Sequence, residues 1–128
     1  MAYPSGSGSE QMRRGYINTQ QASATTFKWD GTAPSVGETS HSVPANHIIT
    51  LISFTVCEST ASAAETIAVW LYDGANNIQI VGETQPLAAG ATFIWNTKLV
   101  LIGGDKVTIT VSAGDTDVYY TYLDQDWS

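Results

Sequence analysis

Charged side chains are scarce in this sequence. They make up 13% of its 128 residues, about half the share usual in a soluble domain. Only five are Lys or Arg against twelve Asp or Glu, a net charge of −7. That balance argues against a phosphate-neutralising surface, and so against nucleic acid as a partner. Cys57 is the only cysteine, which excludes an intrachain disulfide and a secreted disulfide framework. It ends an apolar run, where burial suppresses a thiol's reactivity, so a core cysteine is expected rather than a nucleophile. The two histidines, His41 and His47, have no second ligand at a metal-like spacing and read as solvated or hydrogen-bonded side chains. No apolar run approaches transmembrane length, and MAYPSGSGSE has neither the basic nor the apolar region of a signal peptide. The chain is expected to fold in a cytoplasm, without a membrane partner.

Catalytic motifs are missing too. There is no Gly-x-Ser-x-Gly elbow and no convincing triad among the many serines. Asp115 and Asp117 flank Thr116, and Asp124 and Asp126 follow the last apolar run. Carboxylates two apart can share a hard cation such as Ca²⁺, but the oxygen-rich glycine loop of an EF-hand is lacking. A solvated acidic turn is the better reading of Asp115 and Asp117. The expectations are no enzyme, no cofactor and no metal.

What the chain does have is alternation. Val107, Ile109 and Val111 alternate with Thr108, Thr110 and Ser112, the period-2 mark of a strand with one buried face. Val118, Tyr120 and Tyr122 alternate with Tyr119, Thr121 and Leu123. An earlier run sets Phe93, Trp95, Leu99 and Leu101 on one side. Gly103-Gly104-Asp105 and Ala113-Gly114-Asp115 punctuate these runs, as hairpin turns require. The block from Ala91 to Leu123 therefore reads as a three-stranded meander. Upstream, His47 to Cys57 is apolar on both faces, as if covered by a second sheet and by another subunit or a loop. Thr66 to Asp73 sets Ile67, Val69 and Leu71 against Trp70 and Tyr72, and Asn77 to Val81 returns as its partner. Gly31 to Pro44 is a long loop. About eight punctuated strands without a 3.6-residue period predict an all-β fold, a two-sheet antiparallel sandwich that is jelly-roll-like, with an immunoglobulin-like sandwich as the runner-up.

The N-terminus looks different. Residues 1–9 are rich in Gly and Ser, and residues 1–30 carry a net +1 against −8 for the rest. We expect residues 1–20 to be a flexible N-terminal arm and 21–128 the β-sandwich domain. Within the arm Arg13 and Arg14 supply positive charge, and Tyr16 and Ile17 supply apolar anchors for adding a strand to a neighbour. Tyr119, Tyr120 and Tyr122 cannot all face inward, so Tyr119 is a further candidate partner contact. Two-sided apolar strands and low charge point to a homo-oligomer.

Four tryptophans, Trp29, Trp70, Trp95 and Trp127, raise a rival reading, a carbohydrate-binding or receptor-binding module. Stacking on sugars would need two of them on one exposed face. Trp70 and Trp95 fall within strands, where core or interface roles are commoner, so no such pair is expected.

The stretch LVLIGGDKVTITVSAGDTDVYYTYLD, Leu99 to Asp124, resembles the C-terminal part of small tailed-bacteriophage virion proteins. That group includes jelly-roll-like capsid decoration (cement) proteins and small head, neck, tail and baseplate accessories. The resemblance implies a structural protein without catalytic residues, placed on a virion. Its partners would be the major capsid protein or other virion proteins, and the decoration reading adds a homotrimer where capsomers meet.

Overall fold

The computed structural model describes residues 8–20, 22–59, 64–112 and 116–127. Their strands are β1 (Ser9–Gln20), β2 (Thr25–Thr26), β3 (His47–Glu58), β4 (Glu65–Tyr72), β5 (Asn77–Leu87), β6 (Thr92–Trp95), β7 (Leu99–Ile102), β8 (Lys106–Val111) and β9 (Thr116–Asp126). They form two antiparallel sheets. One runs β1-β9-β3-β6, with β7 also on β3, and the other runs β2-β8-β4-β5.

The winding follows from the pairings. Phe54 pairs with Trp95 and Leu51 with Leu99, so β6 and β7 occupy one strand position, interrupted at residues 96–98. With those halves taken together, the first strand pairs with the last and the second with the next to last. Continuing inward, β3 pairs with β6 and β7, and β4 with β5. This is a long antiparallel ribbon rolled into two sheets, which is the jelly-roll arrangement.

Alternation decides what lies between the sheets. Val118, Tyr120 and Tyr122 of β9 meet Ile49, Leu51, Phe54 and Val56 of β3, and Ile67 and Val69 of β4 join Val107, Ile109 and Val111 of β8 in the same core. Leu51 and Phe54 both face inward although three residues apart. The β3–β9 register slips between Leu51 and Ser53, and the extra residue of a bulge restores the phase. Phe27 stacks on Tyr120 with centroids 4.3 Å apart, and Trp29 meets Tyr122 edge-on at 5.1 Å. The Tyr120 hydroxyl accepts from Lys28 N at 2.9 Å and donates to Lys28 O at 2.7 Å. Tyr122 Oη accepts from Gly31 N at 3.1 Å. The last strand thus fastens the segment after β2 across the sandwich. Burial pushes both phenols above their ordinary pKa.

Two expectations change. From Ser9 onward the expected arm is strand β1, paired with β9 from Ser9↔Asp126 to Gln20↔Thr116. The sandwich therefore begins at residue 9, not 21, and residues 1–7 lie outside the described residues. Gly15 marks a close approach. It pairs with Tyr120, and a Cβ there would run into the Tyr120 ring. The second change concerns the meander. β7 lies on β3 in one sheet and β8 on β4 in the other. The Gly103–Gly104 turn, with Gly104 at φ 95°, therefore crosses between sheets. Its Asp105 carboxylate accepts from Ile102 N at 2.9 Å, which closes the crossover without strand pairing.

Candidate interaction surfaces

The outward residues of the β1-β9-β3-β6/β7 sheet form rows that cross it. Met12 pairs with Leu123, Leu123 with Thr50, and Thr50 with Val100. Tyr16 pairs with Tyr119, Tyr119 with Thr55, and Thr55 with Ile94. Solvent-facing strand positions are usually polar, yet Met12 is 64% exposed, Tyr16 53%, Tyr119 45%, Ile94 63% and Val100 67%. Among the described residues the charged side chains of the outward positions on β1 and β9 are Glu10, Arg14 and Asp117. Between Tyr16, Asn18, Thr55, Cys57 and Tyr119 lies an open groove of about 370 Å³. Cys57, expected in the core, is half-buried on this groove, because its parity along β3 is opposite to that of Val56.

Parity also sorts the residues that the sequence singled out. Arg14 and Tyr16 point outward, and Tyr16 stands beside Tyr119. Ile17 is 1% exposed and belongs to the core, so it is no free anchor. Arg13 turns toward the sandwich rim. Its Nε lies 3.5 Å from Asp124 Oδ2, and Nη1 donates to the Asp30 carbonyl at 3.1 Å. It staples β1 to the end of β9 and to the segment after β2. Met12, Leu123, Ile94 and Val100 were missed, although Leu123, Ile94 and Val100 stand next to residues of the core or packed against it.

The rim holds a polar cluster. His47 Nδ1 lies 2.7 Å from Asp124 Oδ1 and its Nε2 3.4 Å from Asp126 Oδ1. An imidazole held by a carboxylate is what a general base needs. Here the second ring nitrogen also faces a carboxylate, and the arrangement ties the start of β3 to the end of β9. His41 Nε2 lies 3.1 Å from Glu38 Oε2, and this hydrogen bond leads the causes that lower the Glu38 pKa. Among the described residues no group of three or more His, Cys, Asp or Glu is placed to hold a metal ion. Of the acidic turn, Asp115 lies outside the described residues and Asp117 is exposed on β9.

The tryptophans separate. Trp29 is buried and Trp95 stacks at 6.0 Å on Phe54 of the core. Trp70 alternates with the buried Val69 and so faces outward from the β2-β8-β4-β5 sheet, with Tyr72 two residues along on the same face.

No family model and no curated protein matches the chain. Among solved structures it is similar to a chain in a structure of the infectious bursal disease virus Gx strain, at 15% identity and a TM-score of 0.44. The match covers 92% of this chain and 34% of that one, so this chain spans about a third of its length. A likeness this distant carries no functional argument.

Proposed function

We infer that the protein is a structural, non-enzymatic virion component, a decoration protein that stabilises a phage head through contacts between capsomers. The observation that carries this reading is the outer face of the β1-β9-β3-β6/β7 sheet, which no described element covers. Its rows of Met12, Tyr16, Tyr119, Ile94 and Val100 make an apolar surface of the kind that marks a protein contact. Exposed tyrosines supply rigid contact area at low rotamer cost, and methionine supplies an adaptable apolar one. Such a surface, laid across two neighbouring capsid subunits, adds buried area that must be re-exposed before they separate. A homotrimer at the meeting point of capsomers places three copies of the face at once and multiplies attachment through avidity.

Mass spectrometry of purified particles, followed by rebinding of the protein to heads that lack it, tests the reading. Wild type should bind heads in stoichiometric amounts and raise the temperature at which they release DNA. Tyr119→Glu and Val100→Glu should fold but fail to bind. Absence from particles, presence only in tail fractions, or unimpaired binding by both variants overturns it.

A further inference from the structure

The outer face of the other sheet differs in chemistry. Along β4 and β8 its outward side chains are Thr66, Ala68, Trp70 and Tyr72 beside Lys106, Thr108 and Thr110. Two open grooves meet there. One, of about 390 Å³, is lined by Trp70, Tyr72, Asn77 and Thr108. The other, of about 270 Å³, is lined by Thr66, Trp70, Glu83, Thr110 and Ser112. Trp70 is common to both, a half-buried indole ridge with hydroxyl, amide and carboxylate groups on either side.

We propose that this face binds an uncharged oligosaccharide, with Trp70 as the stacking platform. A pyranose ring has an apolar C–H face and a rim of hydroxyls. The indole offers the apolar surface, and the Thr and Ser hydroxyls, the Asn77 amide and the Glu83 carboxylate offer donors and acceptors for the rim. From Thr66 to Tyr72 the strand advances roughly 20 Å, enough for a chain of several rings lying along β4. The register of β4 against β5 slips on both sides of Val69, next to Trp70; bulges of this kind re-aim a side chain at a binding site.

The turn that joins the groove residues Tyr72 and Asn77 is preorganised. Tyr72 Oη donates to Gly74 O at 2.9 Å, and Asp73 Oδ1 accepts from Ala75 N at 2.9 Å and Asn76 N at 2.7 Å. Charge selects the class of sugar. The groove linings carry Glu83 and no basic side chain. Lys106, paired with Tyr72 at the edge of the face, lines neither groove and donates from Nζ to the Thr39 carbonyl at 3.2 Å. On a chain with a net charge of −7, sulfated and uronic glycans are repelled and neutral ones are not. The face belongs to the sheet opposite the proposed docking surface, so a particle-bound copy keeps it free.

Affinity electrophoresis of the full chain through gels containing soluble neutral polysaccharides (β-glucan, glucomannan, galactan, dextran) tests the site. An array of neutral oligosaccharides extends it, with heparin and polygalacturonate as charged controls. We expect retardation by at least one neutral glycan and by neither control, with affinity reduced roughly tenfold or more in Trp70→Ala, about 1.4 kcal/mol. Because Trp70 is half-buried, the exposed Asn77→Ala is the second variant, and it should weaken binding severalfold with an unchanged melting temperature. Tyr119→Glu, on the opposite sheet, should leave glycan binding intact. No binding to any neutral glycan, binding that survives both groove variants, or preference for the charged controls overturns the proposal. Head rebinding by Trp70→Ala separates this outcome from failure of the docking surface.

Discussion

Tyr16 and Ile17 are adjacent in β1 and face opposite ways, which makes them a sensitive pair for asking whether the N-terminal segment is part of the fold. Ile17 is 1% exposed and Tyr16 53%. Truncating a fully buried isoleucine to alanine costs about 2–5 kcal/mol from lost transfer energy and the cavity left behind. Total stability of such a domain is about 5–15 kcal/mol, so Ile17→Ala should remove a large fraction of it. With roughly 4 °C of melting temperature per kcal/mol for a chain of this size, the expected drop is about 8–20 °C. Tyr16→Ala should stay within about 0.5 kcal/mol of wild type. Thermal melts followed by near-ultraviolet circular dichroism read both. Deleting residues 1–20 should leave no cooperative transition, while deleting 1–7 should leave one. If Ile17→Ala and Tyr16→Ala are equally mild, and the 1–20 deletion melts like the full chain, then β1 is a detachable arm and the reasoning is wrong.

Other consequences follow from the same packing. Gly15→Ala drives a methyl into the Tyr120 ring and should destabilise by about 1–3 kcal/mol, read by urea unfolding. Burial raises the Tyr120 pKa, so the folded state holds this proton more tightly than the unfolded chain does. The corresponding stability is complete below about pH 10 and falls above it by about 1.4 kcal/mol per pH unit as the unfolded tyrosine ionises; Tyr120→Phe should flatten that alkaline decline. Asp124→Ala strips the partner from His47 Nδ1 and Arg13 Nε and should cost about 1–3 kcal/mol, measured by the same unfolding curves.

Legibility tracked side-chain parity. The inward sets of β4, β8 and β9 could be read directly because large apolar or aromatic side chains recur there at every second position. β1 could not, since its place in the core rests on Ile17 and on Gly15, and a glycine that makes room for a facing tyrosine looks the same in sequence as one that makes a linker. The crossover at Gly103–Gly104 was equally hidden. Turn chemistry marks where a strand ends, but the sheet taken by the next strand is decided by the pairing of β7 with β3 and of β8 with β4, which are long-range events. The docking face was half visible. Tyr119 and Tyr16 were named, while Arg13 and Ile17 were given to a partner because the segment was expected to pair with a neighbouring molecule rather than with β9. The Trp70 groove escaped a search for two tryptophans, since its second aromatic is Tyr72.

Cys57 gives the most direct test of the central claim, that the outer face of the β1-β9-β3-β6/β7 sheet is what the protein uses to attach. It lines the groove with Tyr16 and Tyr119 and is the only cysteine in the chain, so maleimide labelling reports on that one place. The purified protein and intact particles would be labelled side by side and the Cys57 peptide quantified by mass spectrometry. The account predicts labelling of the free protein and strong protection on the particle, relieved when the particle is dissociated without denaturing the protein. Equal labelling of free and particle-bound protein would contradict it.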